Sequence, residues 1–202
     1  MRIRNTQGFT LIEVLTALSV FSLVAVAIYS VFSTGIAARE KGESASSLCQ
    51  DARIALDRMS KELRNTAGVS LYRFVGSPDM ISFPTLEERR GHLEICYVTY
   101  YLETKEGNGS KTLRRTEETP VEGKSEPRDI ASSVAEVKLT YRYKAADTGS
   151  YEWCDSWDSS LQASYPLDVR ISLTLTEHDG HQIPFTKTVH IPIDSSFRES
   201  QL

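Results

Sequence analysis

The chain has 202 residues, a formal net charge of −4 and a charged content of 25%. That length suits one domain, or one domain with an appendage. The acidic balance, without a cluster of Lys and Arg, argues against a protein that reads nucleic acid.

The first forty residues contain a long apolar stretch. Residues 14–38 hold no charged side chain, and an apolar run of that length is typical of a membrane-spanning helix. Arg2 and Arg4 precede it, and the positive-inside rule then places the amino terminus in the cytoplasm. Two readings are open on this pattern alone: a plain membrane anchor, or a secretory signal peptide cleaved at the small-x-small site Ala25-Val26-Ala27.

A short motif inside this region favours a third interpretation. Residues 8–13 read Gly-Phe-Thr-Leu-Ile-Glu. This stretch resembles the processing site of type IV pilins and of the pseudopilins of type II secretion systems. The resemblance implies that residues 1–8 are a leader peptide, that a prepilin peptidase cuts between Gly8 and Phe9, and that Phe9 is then N-methylated.

The motif also places a carboxylate, Glu13, at the start of the apolar stretch. Burying an unpaired charge in hydrocarbon is costly, so ionisable groups in membrane segments tend to have partners and functions. The resemblance assigns Glu13 to assembly, where it would pair with the positive amino terminus of a neighbouring subunit. In a generic anchor, Glu13 would instead reach toward the lipid headgroups.

The helix is predicted to continue beyond the membrane. Apolar residues recur at spacings of three and four over residues 45–63, which is typical of an amphipathic helix. We therefore predict one helix from Phe9 to about Asn65. Residues 9–38 would lie in the membrane or a filament core, and residues 39–66 would pack on a globular domain. Gly35 and Gly42 either bend this helix or are tolerated within it.

Residues 67–202 are predicted to form a β-rich globular domain. Alternating apolar and polar residues indicate strands, at residues 69–75, 80–83, 93–104, 111–117, 134–144, 167–176 and 183–193. Residues 106–109 are predicted to form one turn, and Asp179-Gly180 forms a hairpin signal between two alternating runs. The expected fold is α+β, with a long amino-terminal α-helix packed on an antiparallel β-sheet.

The order of these segments is similar to that of one branch of the family, the minor pseudopilins of the J type. The similarity includes Tyr100-Tyr101-Leu102, Leu113-Arg114-Arg115 and Pro166-Leu167-Asp168-Val169. It implies an inner-membrane subunit with a periplasmic domain. Such a subunit assembles with other minor and major pseudopilins at the pseudopilus tip, on an inner-membrane secretion platform, and supports protein export.

Two other functions remain open. A minor pilin of a type IV pilus or of a DNA-uptake filament would carry the same motif. A membrane-anchored extracytoplasmic enzyme or binding domain would use residues 9–38 as an anchor only. The sequence holds no nucleophile elbow, P-loop, dinucleotide fingerprint or HExxH motif, so we expect no enzyme, no cofactor and no metal.

Two groups of residues could nevertheless hold a metal ion. His178 and His181 have a ligand-like spacing, but they lie on a predicted turn with no third ligand evident. Glu152, Asp155 and Asp158 share a loop and offer the oxygens that calcium prefers. That loop does not match an EF-hand.

Tryptophan and cysteine residues complete the candidates. Trp153 and Trp157 form either a partner-binding patch or a small core under their loop, and we expect the core. The three cysteines fit one disulfide and one free thiol if the domain lies outside the cytoplasm. A bridge between Cys96 and Cys154 is one possible pairing, with Cys49 on the helix.

Overall fold

The computed structural model describes residues 9–68, 72–89, 91–104, 111–121, 123–162, 164–177 and 179–192. Gly8 and the predicted turn at 106–109 lie outside these residues. The described elements follow one another along the chain as α1 (Leu11–Arg64), β1 (Val75–Gly76), β2 (Met80–Arg89), β3 (His92–Thr104), β4 (Lys111–Thr119), β5 (Gly123–Lys124), β6 (Arg128–Lys144), β7 (Tyr151–Cys154), β8 (Trp157–Asp158), α2 (Ser159–Gln162), β9 (Asp168–Thr176) and β10 (Gln182–His190).

The chain divides into two compact units, Met1–Ser46 and Ser47–Leu202. The first unit contains the apolar part of α1, and every residue from Phe9 to Ile36 is exposed. Residues Leu11–Ile36 form a helix long and apolar enough to cross a membrane, with a mean hydropathy of 2.4 in its most apolar window. The assignment of this helix as a membrane span rests on its length and its composition.

The second unit begins with the last turns of α1. Ala52, Ala55, Leu56, Met59 and Leu63 are all buried, so the predicted amphipathic helix is confirmed with its apolar face on the core. α1 remains helical through Gly35 and Gly42, and neither glycine ends it.

Ten strands of the described chain form one antiparallel sheet in the second unit. Its main order is β10-β9-β6-β4-β3-β2-β1-β8, while β5 pairs with β4 and β7 with β6. Since strands and helix occupy separate stretches of the chain, this arrangement confirms the α+β class.

The strands differ from the predicted ones mainly at their ends. Residues 72–74 of the predicted first strand are not in a strand, and only Val75 and Gly76 form β1. β2 continues to Arg89 because it pairs with β3 over its whole length. β6 starts at Arg128 instead of 134 because its first residues pair with β4. The predicted final hairpin is confirmed, with Gln182 paired to Thr176.

The sheet curves so that β6 meets the turn after β1. Tyr141 on β6 donates its hydroxyl to the carbonyl oxygen of Ser77 at 3.0 Å. Its ring lies edge-on to Phe74, with centroids 6.1 Å apart. An ideal Cβ on Gly76 would fall 2.1 Å from the Tyr141 hydroxyl oxygen, so only glycine leaves room for this ring.

The three cysteines are free thiols in the structure, and the suggested bridge between Cys96 and Cys154 is not formed in it. Cys96 is buried on β3 opposite Thr85 of β2. Cys154 lies on β7 opposite Tyr141 of β6. Cys96 and Cys154 thus lie on strands that are not paired with each other.

Candidate processing and assembly site

The predicted processing site lies at the start of α1. Phe9 is 85% exposed and precedes the helix, which begins at Leu11. The backbone N–H groups of Glu13 and Val14 donate to the carbonyl of Thr10, at 3.1 Å and 3.3 Å. Thr10 is therefore the N-cap residue, and Phe9 lies ahead of the first helical hydrogen bond.

Thr10 and Glu13 form a capping box, a local role that the sequence analysis did not assign to Glu13. The Thr10 hydroxyl oxygen accepts from the Glu13 N–H at 3.3 Å. The Glu13 carboxylate lies 3.5 Å from the Thr10 N–H nitrogen and from its hydroxyl. Reciprocal contacts of this kind satisfy N–H groups that have no partner inside the helix. At 3.5 Å the carboxylate contacts are weak, so Glu13 can exchange them for a stronger partner.

Glu13 is the one charged residue between Phe9 and residue 38. Four hydroxyl groups in the same stretch are satisfied locally: Thr16, Ser19, Ser22 and Thr34 each donate to a backbone carbonyl one turn earlier, at 2.8–2.9 Å. Such bonds let hydroxyl groups reside in an apolar environment. Glu13 is thus the charged group on this surface that can recognise another charge.

Comparison with known families identifies a motif in the amino-terminal segment. Residues 3–29 match the prokaryotic N-terminal methylation motif. The match includes the predicted cleavage residues and Glu13, and it indicates a type IV pilin-like substrate of a prepilin peptidase that assembles with other pilins. The apolar helix fits the membrane anchor of such a protein. A search of curated proteins found no match to this chain.

The suggested calcium ligands do not form a metal-binding group among the described residues. His181 is exposed and lies 3.9 Å from Glu177, while His178 is outside the described residues. Glu152 accepts a hydrogen bond from Tyr143, and Asp158 accepts from Ser160. Within the part of the chain that the structure describes, no group of three or more His, Cys, Asp and Glu side chains could hold a metal ion.

The two tryptophans have different environments. The expected small core is confirmed for Trp157 and is wrong for Trp153. Trp157 is 3% exposed, and its ring N–H donates to the carbonyl of Ser164 at 3.1 Å. Trp153 is 36% exposed and lies on β7, where its ring stacks against the guanidinium of Arg170. A spacing of four residues could not reveal this, because the chain turns between β7 and β8.

The sequence analysis missed a cluster of charged side chains between the end of α1 and the sheet. We call it the buried charge cluster. It balances three guanidinium groups against three carboxylates, from Arg58, Arg89, Arg115, Glu62, Glu87 and Glu117. Tyr100 on β3 adds a hydroxyl that donates to the Glu62 carboxylate at 2.7 Å.

Arg115 is the centre of the buried charge cluster. Its side chain on β4 is 1% exposed. It donates to Glu62 of α1 at 3.1 Å, to Glu87 of β2 at 3.0 Å and to Glu117 of β4. One guanidinium thus holds three elements together, which uses the fork geometry that lysine lacks.

A pattern in the sequence could have revealed this cluster. Arg115 is two residues from Leu113, so both side chains face the same side of β4, and Leu113 is buried. On the helix, Glu62 is three residues from Met59 and adjoins Leu63, within the apolar stripe. A charge at an inward position on each of two elements indicates a buried pair.

Acid should weaken this cluster over a defined pH range. Burial raises the pKa of Glu117, but hydrogen bonds from Arg89 and Arg115 outweigh it and bring the pKa to about 2, below the ordinary 4.5. A depressed pKa adds stability above the ordinary value, and that stability is lost as pH falls through the folded value. We expect the free energy of unfolding to fall between pH 4.5 and pH 2, and to fall less steeply in Glu117→Gln.

This prediction is measured by urea unfolding at a series of pH values. Glu118→Gln is the control because it removes a carboxylate from the next, exposed position of β4. Its pH slope should match that of the wild type. Equal slopes in all three proteins would show that Glu117 is not the titrating group.

Proposed function

We propose that this protein is a minor pseudopilin of a type II secretion system. A prepilin peptidase would cut between Gly8 and Phe9 and Phe9 would be methylated. The mature subunit would then join other pseudopilins at the filament tip to support protein export. The chain itself would perform no catalysis and need no cofactor. Its domain would lie in the periplasm, with the amino terminus on the cytoplasmic side before assembly.

One observation carries this proposal: the methylation motif at residues 3–29 lies on an exposed apolar part of α1, Leu11–Ile36, whose single charge is Glu13. An exposed apolar surface of this size needs lipid or other apolar helices around it. The similarity of segment order to the J-type branch supports the finer assignment. A type IV pilus or DNA-uptake filament would use the same helix.

Deleting the gene in its own host tests whether the protein belongs to a type II secretion system or to a type IV pilus. We expect secreted proteins to accumulate inside the cell while surface pili remain normal. Normal secretion with loss of pili, motility or DNA uptake would assign the protein to a type IV pilus instead. No effect on either process would favour a membrane-anchored enzyme or binding domain.

Processing is tested by Gly8→Ala. A side chain at this position should block cleavage and leave a heavier, unmethylated protein in the membrane. Mass spectrometry of the amino-terminal peptide measures both changes. Cleavage of this variant near residues 25–27 would instead support a secretory signal peptide.

The capping box allows the charge of Glu13 to be separated from its capping role. Glu13→Gln removes the charge, while glutamine can still serve in a capping box. Thr10→Val removes the cap hydroxyl and keeps the charge. If Glu13 pairs with a neighbouring amino terminus, Glu13→Gln should fail to restore secretion to the deletion strain, and Thr10→Val should restore most of it. The opposite pattern would show that Glu13 acts only in its own helix.

A further inference from the structure

A second exposed surface lies on the outer face of the sheet, where β7, β6 and β9 run side by side. We call it the arginine–tryptophan patch, formed by Arg142, Tyr151, Trp153 and Arg170. The guanidinium carbon of Arg170 lies 4.0 Å from the centre of the Trp153 ring. The guanidinium carbon of Arg142 lies 5.2 Å from the Tyr151 ring centre and 5.9 Å from that of Trp153. Cations at these distances are attracted by the aromatic face.

Strand register brings these side chains together. Trp153 of β7 pairs with Arg142 of β6, and Arg142 pairs with Asp168 of β9. Arg170 is two residues beyond Asp168, so it points to the same side of the sheet. The patch is therefore built on paired strands and does not depend on a loop conformation.

The two arginines differ in their existing partners. Arg142 forms an ion pair with Asp168, and the other carboxylate oxygen of Asp168 lies 3.2 Å from the ring of His190. Arg170 is exposed and forms no ion pair or hydrogen bond with any of the described residues. Its flat face is held against Trp153, while its N–H groups lie along its edge.

An arginine held in this way is preorganised to bind a carboxylate. The planar guanidinium donates two parallel hydrogen bonds to a carboxylate. Stacking on Trp153 fixes its orientation, so less entropy is lost on binding. Tyr151, which is 62% exposed, supplies apolar surface beside the charge. Trp, Tyr and Arg are the residues most enriched at the energetic centres of protein interfaces.

The charge of the chain favours one of two anionic ligands for this patch, a carboxylate over a phosphate backbone. The chain has a net charge of −4, which repels a long phosphate backbone. A single carboxylate needs only the local positive charge of Arg170, since Asp168 already pairs with Arg142. We propose that the arginine–tryptophan patch docks an acidic segment of a partner protein, with a carboxylate on Arg170 and a neighbouring apolar side chain on Trp153 and Tyr151. This proposal holds whether the protein belongs to a type II secretion system or to a type IV pilus.

The test uses the full chain in phosphatidylcholine nanodiscs and a fluorescent hexapeptide of alternating glutamate and valine. Fluorescence anisotropy measures binding. We expect Arg170→Gln to weaken it roughly tenfold or more, as for loss of a charge-assisted hydrogen bond. Arg128→Gln is the matched control because it removes the same charge from an exposed position near the start of β6, and it should bind as the wild type does. Added salt should weaken wild-type binding.

Several results would overturn the proposal. Absence of binding at millimolar peptide would do so, as would equal binding of the corresponding glutamine–valine peptide. Equal loss in Arg170→Gln and Arg128→Gln would show that only net charge matters. Tighter binding of single-stranded DNA than of the peptide would assign the patch to nucleic acid. Self-association that Arg170→Gln abolishes, measured by sedimentation, would assign it to a second copy of the chain.

Discussion

Replacing Arg115 with methionine is expected to destabilise the domain by about 3–5 kcal/mol, the usual cost of breaking a buried ion pair by removing one partner. The methionine would fill similar space, but Glu62 and Glu117 would lose this guanidinium as a partner in a largely buried site. For a protein of this size, that cost lowers the melting temperature by roughly 10 °C. Thermal unfolding of the full chain in detergent, followed by near-ultraviolet circular dichroism, measures it.

Arg114→Met is the matched control for this experiment. Arg114 is the preceding residue on β4, but its side chain is 25% exposed and pairs with Glu103 and Asp129 at the surface. Exposed pairs contribute about 1 kcal/mol or less. If the two variants unfold at the same temperature, the buried charge cluster does not stabilise the domain as we infer.

Gly76→Ala is expected to destabilise the domain by about 3 kcal/mol, since overpacking a core costs 1–3 kcal/mol and a stranded hydroxyl adds to it. The new Cβ would fall 2.1 Å from the hydroxyl oxygen of Tyr141 and 2.3 Å from its ring carbon Cζ. Tyr141 has no exposed surface into which it could move. Burial also raises the pKa of Tyr141, so its hydroxyl remains protonated and would lose the carbonyl of Ser77 as acceptor. Urea unfolding measures the change.

Two further variants separate the steric clash from a general effect of alanine. Gly42→Ala changes a glycine in α1 that has nothing within 4 Å of its ideal Cβ, and it should not destabilise the protein. In a Tyr141→Leu background, Gly76→Ala should cost less than it does in the wild type, because the ring is gone. Equal costs in both backgrounds would contradict the proposed contact.

The helix and the central strands were predictable because their side chains repeat with a clear period. Met59 and Leu63 fall on one helical face, and residues 93–104 are rich in β-branched and aromatic side chains. The short strands were not predictable. β1 has two residues, and it forms because β2 and β8 pair with it from either side. Pairing between distant parts of the chain leaves no local pattern, which also explains the early start of β6 at Arg128.

The methylation motif was predictable because it is a linear sequence pattern, contained within residues 3–29. The surfaces of the globular domain require the fold. Trp153 and Arg170 are seventeen residues apart in the sequence, and only the register of β7, β6 and β9 stacks them. Arg115 and Glu62 also belong to different elements. Their inward positions indicate buried charges, but only the fold shows that the two side chains pair with each other.

The position of Phe9 ahead of α1 has a consequence for the order of events in maturation. The carbonyl of Thr10 is the acceptor for the first hydrogen bonds of the helix. Hydrolysis of the preceding Gly8–Phe9 bond would break none of them, so no local unfolding would be needed before the cut. The helix could therefore be fully formed when the leader is removed.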